Sequence, residues 1–196
     1  MRCTKQPPNH TVSLPLTQAL ICHPASPYPA TVSGIDTEIS RETDGGLTLS
    51  YRLHGAPRDI LIPPAQLSSP ADGLWQHTCC ELFIAPVHSP KYEEFNFAPS
   101  GQWANYRFNA YRERDHDFTA SLAPRITFQT LDDGFQLDAT LSPAQLPNAE
   151  AWQISLSVVL EAADGSKSYW ALTHCTHQPD FHHRQSFSLT LPDTTL

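Results

Sequence analysis

The apolar residues of this chain recur at every second position and almost nowhere at every third or fourth. Leu47, Leu49, Tyr51 and Leu53 alternate with Thr48, Ser50, Arg52 and His54; Phe135, Leu137, Ala139 and Leu141 form a second stripe, and Trp152, Ile154, Leu156, Val158 and Leu160 a third. Side chains two apart lie on the same side of a strand, so each stripe is the buried face of a β-strand, and the second and third are expected to meet in one core. Further runs of strand character cover 35–40, 59–62, 78–85, 125–130 and 185–191. A Gly45-Gly46 turn folds 35–40 back onto the first stripe as a hairpin. Eighteen prolines punctuate the chain. Helix is expected only as single turns, at Ser142-Pro143-Ala144-Gln145-Leu146 and at Pro63-Pro64-Ala65-Gln66-Leu67. Such a pattern predicts an all-β fold: one domain over 1–196, two antiparallel sheets packed as a β-sandwich with a jelly-roll-like topology.

Charge and cysteine usage narrow the partners. A net charge of −8 with only 12 lysines and arginines argues against nucleic acid and against an anionic membrane, both of which are held by clustered cations. No run has the length of a membrane span. Five cysteines, Cys3, Cys22, Cys79, Cys80 and Cys175, make an odd set. The adjacent Cys79 and Cys80 face opposite ways in a strand, so neither a disulfide framework nor a CxxC clamp is expected. A reducing, cytoplasmic setting fits this usage. Arg2 and Lys5 before VSLPLTQALIC imitate a secretion signal, but Pro15, Thr17 and Gln18 interrupt the apolar stretch, which is read as part of the fold.

Residues 92–112, YEEFNFAPSGQWANYRFNAYR, carry the strongest functional signal. Two alternating runs meet across a Pro-Ser-Gly turn. Phe95 and Phe97, with Ala104, Tyr106 and Phe108, are assigned to the core; Glu94, Asn96, Trp103, Asn105 and Arg107 are assigned to a shared polar face. An indole beside a carboxylate, amides and a guanidinium suits a sugar, whose C–H faces stack on rings while its hydroxyls meet planar polar groups. The competing reading is structural: Glu94 and Arg107 as a cross-strand ion pair, with Trp103 covering a sheet edge.

Three blocks together, LWQHTCCELFIAP, YEEFNFAPSGQWANYRFNAYR and SYWALTHCTHQPDFHHRQSF, resemble the bacterial DOMON-like proteins, relatives of the family 9 carbohydrate-binding modules. The likeness runs from about residue 20 to residue 191. It implies a β-sandwich with a ligand site on or beside one sheet, taking a sugar in some members and haem in others. The chain departs from the pattern at Cys80, where an aromatic residue is expected, and no catalytic residue carries over.

The expected ligand-binding set is therefore Tyr92, Glu94, Asn96, Trp103, Asn105 and Arg107. Glu81 joins it because Cys80, Leu82 and Ile84 take the core side of their strand and leave Glu81 with Phe83 on the other. Trp170 and His182 complete the set, and the segment 169–184 is the fallback site. No metal is expected: HCTHQPDFHH lacks helical ligand spacing, despite His174, His177, His182 and His183. No cofactor is expected either. The alternative is haem, which would need bis-histidine or histidine–cysteine ligation with His77, His174, His177 or His182 as candidates, because the only methionine is Met1. With no GxSxG elbow and no phosphate-cradling glycine loop, the reading is a non-catalytic domain for a small sugar-like ligand. The alternatives are a haem-binding redox module or a homo-oligomeric assembly protein using Trp75, Trp103 and Trp170 as an aromatic strip.

Overall fold

The computed structural model describes residues 15–192; Arg2, Cys3 and Lys5 lie outside the described residues. Thirteen strands follow in chain order: β1 (Leu16–Ala19), β2 (Ile21–Cys22), β3 (Val32–Arg41), β4 (Leu47–Gly55), β5 (Cys79–Pro86), β6 (Tyr92–Phe97), β7 (Trp103–Ala110), β8 (Glu113–Arg114), β9 (Arg125–Leu131), β10 (Gly134–Leu141), β11 (Ala151–Glu161), β12 (Lys167–Ala171) and β13 (Leu189–Pro192). They make two antiparallel sheets packed as a β-sandwich. One has five strands in the order β1-β3-β4-β10-β9; the other has eight, in the order β2-β12-β11-β5-β6-β7-β8, with β13 also paired to β11. Beside β11, β12 takes the C-terminal half and β13 the N-terminal half of one edge, while β5 runs along the other edge.

The three sequence stripes meet between the sheets. Leu47, Leu49, Tyr51 and Leu53 of β4 and Phe135, Leu137, Ala139 and Leu141 of β10 face Cys80, Leu82 and Ile84 of β5, Phe95 and Phe97 of β6 and the Trp152-to-Leu160 stripe of β11 in one buried cluster. Removing this apolar surface from water is the main driving force for closing the sandwich. Turn chemistry sets the register. At Gly134, where β10 leaves its hairpin with β9, φ is 150° and an added Cβ would lie 1.9 Å from the Leu53 carbonyl oxygen, so only glycine fits.

Local expectations failed where proline or double-sided burial intervened. Ser142 and Gln145 do form a capping box on a short 3-10 turn (Pro143–Gln145), but the segment beginning at Pro63 forms no helical turn, because a proline disfavours the helical region for its predecessor. The 59–62 run is no strand: Pro57–Asp59 is a 3-10 turn and Ile60 makes a single isolated bridge to Ala162. Residues 184–186 likewise form a turn, and β13 starts only at Leu189. Strand β12 escaped notice because its alternation puts an aromatic ring on each side, Tyr169 on one and Trp170 on the other.

A second apolar cluster lies on the outer face of the eight-stranded sheet. Phe83, Ala85, Tyr92, Ala104, Tyr106, Phe108, Val159 and Ala171 point away from the sandwich interior and are covered by Phe181 and Phe187 from the 172–188 connection. This extra layer frames the site.

Candidate functional site

Pairing across the β6–β7 hairpin decides which side chains share a face. Glu94 lies opposite Tyr106, Asn96 opposite Ala104, and Tyr92 opposite Phe108; Phe97 lies opposite Trp103, Phe95 opposite Asn105, and Glu93 opposite Arg107. Directly paired residues point to the same side of a sheet. The polar face expected from the sequence is therefore split. Glu94 and Asn96 look outward with Tyr106, while Trp103, Asn105 and Arg107 look to the other side with Phe95 and Phe97. The turn at 98–102 sets this parity: the Ala98 N–H bonds the Gln102 carbonyl and the Gly101 N–H bonds the Ala98 carbonyl, which locks the pairing one position away from the expected one.

On that other side, the ion pair exists with a different carboxylate. Arg107 donates to Glu93 Oε1 through Nε at 3.1 Å and through its terminal nitrogen at 2.9 Å, and Asn105 donates to Glu93 Oε2 at 3.1 Å. The Arg107 guanidinium also lies 3.9 Å from the centre of the Phe118 ring. Trp170 is likewise displaced: it belongs to the inter-sheet core, and its indole N–H bonds Ser168 Oγ. Trp103 and Trp170 are buried whereas Trp75 is exposed, so the three tryptophans form no common strip.

The outer face carries a cleft of about 370 Å³. Its floor is laid by Glu81 and Phe83 of β5, Glu94 of β6, Tyr106 and Phe108 of β7, Val159 of β11 and Tyr169 of β12. Asp72 and Trp75 form one wall; Arg112 and Arg114 stand at the turn into β8, and Pro179, Phe181 and His182 come over from the 172–188 connection. Of the expected residues, Glu81, Glu94 and His182 line this cleft, and Tyr92 and Asn96, on the same face, hydrogen-bond His182 and Glu94. Asp72, Trp75, Tyr106, Arg112, Arg114 and Tyr169 were not assigned to it. The Asp72-Gly73 turn signal and the basic pair after β7 were the available hints.

The polar groups are held by a chain of specific bonds. Glu81, 2% exposed, accepts from Ser157 Oγ at 2.9 Å, and Glu94, 4% exposed, accepts from Asn96 Nδ2 at 2.7 Å. Burial pushes the Glu94 carboxyl up to about 7, and burial followed by repulsion from Glu94 pushes Glu81 well above the usual range. Arg112, with a left-handed φ of 56°, donates its backbone N–H to Tyr92 Oη at 3.1 Å. Tyr92 Oη and His182 Nδ1 share a hydrogen bond at 2.8 Å. The other ring nitrogen, Nε2, faces Glu94 Oε2 at 3.7 Å. Burial lowers His182 to about 4 and keeps it neutral. On the opposite wall Tyr106 donates to Asp72 and accepts from the Gly73 N–H at 3.3 Å, which fixes the wall that carries Trp75. Among the described residues no three histidine, cysteine or acidic side chains converge as metal ligands, and no helix is long and apolar enough to cross a membrane.

No protein-family model matches the chain, and no curated protein does. Solved structures are similar in fold. A proposed carbohydrate-binding protein from Bacteroides uniformis superposes with a TM-score of 0.67 at 15% identity, covering 91% of this chain and 86% of that one. A family 9 carbohydrate-binding module from Caldicellulosiruptor kristjanssonii, in complex with glucose, superposes with a TM-score of 0.52 at 13% identity, covering 85% and 78%.

Proposed function

We propose that this protein is a non-catalytic sugar-binding domain whose ligand sits in the cleft on the outer face of the eight-stranded sheet. The observation that carries the reading is the pairing there of a half-exposed indole, Trp75, with two buried carboxylates, Glu81 and Glu94. A pyranose has the complementary surface: a C–H face for the ring and a row of hydroxyl donors for the carboxylates. Arg112 and Arg114 at the rim add planar donors for ring and hydroxyl oxygens. The sugar-binding descriptions of the two structural neighbours support the same ligand class. In this reading the polar groups of the cleft serve binding. His182 is tied to Tyr92, and Cys79, the thiol on the same sheet face, is fully buried with its pKa pushed up by that burial, so it stays protonated.

The test is a calorimetric and thermal-shift screen of mono- and disaccharides, followed by variants on both sides of the eight-stranded sheet. For a sugar found to bind, Trp75→Ala is expected to weaken affinity at least about ten-fold with an unchanged melting temperature, since stacking is lost from an exposed ring. Arg107→Lys, on the opposite face, is expected to leave affinity unchanged. The reverse pattern would move the site to the Trp103 and Arg107 side, and a screen in which no sugar binds would end the sugar reading.

A further inference from the structure

We infer that the cleft selects a sugar bearing a free primary ammonium group, seated between the carboxylates of Glu81 and Glu94. The inference rests on the sugar reading above and names the ligand class of that same site. Two carboxylates share the floor of an open cleft, and among the described residues their side-chain oxygens receive hydrogen bonds only from the neutral groups of Ser157 and Asn96. His182, the nearest histidine to Glu94, is neutral.

The rim cations are already engaged. Arg112 pairs with Asp180 at 2.8 Å, and Arg114 lies 4.0 Å from Asp72 with its guanidinium 4.2 Å from the centre of the Tyr106 ring. Their charge reaches Glu94 and lowers it somewhat, yet burial still dominates. At about pH 7 the floor thus carries protons, on Glu81 and in part on Glu94, in the place a ligand's cation would take.

A buried carboxylate pair without a cation is costly, and a ligand that supplies the cation recovers that cost. An ammonium suits the floor in charge and in donor number: one atom carries three donors for two carboxyl groups, and charge-assisted bonds are roughly twice as strong as neutral ones. A hydroxyl donates as well but brings no charge to replace the protons that the two groups hold. A divalent metal would need ligands that do not converge here among the described residues. The aromatic lining agrees, because Trp75 and Tyr169 present ring surfaces that attract a cation as well as a sugar face.

The experiment is isothermal titration of glucose, galactose and mannose against their 2-amino analogues, with glucuronate as the anionic arm. At about pH 7 the preferred amino sugar is expected to bind at least about ten-fold tighter than its parent, a difference of about 1.4 kcal/mol. Its binding should release protons, read as a dependence of the heat on buffer ionisation, because the ammonium displaces the proton from Glu94. Glu94→Gln and Glu81→Gln keep the Asn96 and Ser157 bonds available, and melting temperatures establish that both variants fold. Each should remove most of the amino-sugar preference, read as the ratio of amino-sugar to parent affinity within the same variant. Equal affinity for amino sugar and parent, or a preference for glucuronate, would overturn the inference and leave the sugar reading intact. Failure of every sugar to bind would overturn both.

Discussion

The two sheets of this sandwich are built from equally alternating strands and end in opposite circumstances. The five-stranded sheet has one dry face: along β4, Leu47, Leu49, Tyr51 and Leu53 are buried while Thr48, Ser50, Arg52 and His54 stay partly exposed. The eight-stranded sheet is dry on both faces over β6 and nearly all of β5, where every residue but the terminal Pro86 is buried. The connection at 172–188 and the segment around Trp75 roof its outer side. A wet sheet face can hold only solvated groups, whose charges are cheap and weakly coupled. A roofed face places carboxylates in low dielectric, raises their proton affinity and leaves a cleft where water can be replaced by a ligand.

If the roofed face is a second core, its rings should count as heavily as those between the sheets. Phe83→Ala is expected to cost about 3–5 kcal/mol and Leu156→Ala about 2–5 kcal/mol in chemical denaturation, since each deletes a side chain almost wholly removed from water. A loss below about 1 kcal/mol for Phe83→Ala would mean that the outer layer is loosely laid on the sheet.

The same burial predicts a pH dependence confined to this face. The Glu94 carboxyl is raised from 4.5 to about 7 in the folded protein, so the folded state binds a proton that the unfolded state has already lost between those values. That stabilisation is complete below about pH 4.5 and is lost as pH rises through about 7, a difference on the order of 3 kcal/mol, to which Glu81 adds in the same direction. Denaturation midpoints should therefore fall from about pH 5 to about pH 8, and Glu94→Gln should flatten the fall. A midpoint that rises over that interval would contradict the buried carboxylates.

Two serines give the smallest and sharpest contrast. Ser157 of β11 and Ser50 of β4 both alternate with core residues, and each points away from the inter-sheet core. Ser157 is fully buried and donates to Glu81, so Ser157→Ala should cost about 1 kcal/mol or more and raise the pH sensitivity. Ser50→Ala, on the wet face, should stay within about 0.5 kcal/mol. Equal midpoints for the two would erase the distinction between the faces.

Most of the sandwich could be read from period-two alternation. The stripes of β4, β10 and β11 were legible because a strand's inward positions must be apolar whatever its partners are, and the Gly45-Gly46 hairpin announced itself in turn chemistry. Cys80, Leu82 and Ile84 placed Glu81 and Phe83 outward by the same logic. The site was only half legible. Glu81, Glu94 and His182 were singled out and do line the cleft, whereas Trp103, Asn105 and Arg107 were grouped with Glu94 and lie across the sheet from it. When both faces of a strand are buried, apolar residues appear on both, and alternation within one strand cannot say which set of a neighbouring strand it joins.

The sequence by itself determined that the chain is β throughout, where its core stripes lie and which strands carry polar groups amid apolar ones. Only the tertiary structure decided the parity of the β6–β7 turn, the transfer of Arg107 to Glu93, and the convergence of Asp72, Trp75, Arg112, Arg114 and His182 over Glu81 and Glu94. The reason is physical: alternation is a property of one strand's backbone, while shared faces and clefts depend on hydrogen-bond register and on long connections returning across a sheet, which no local run of residues encodes.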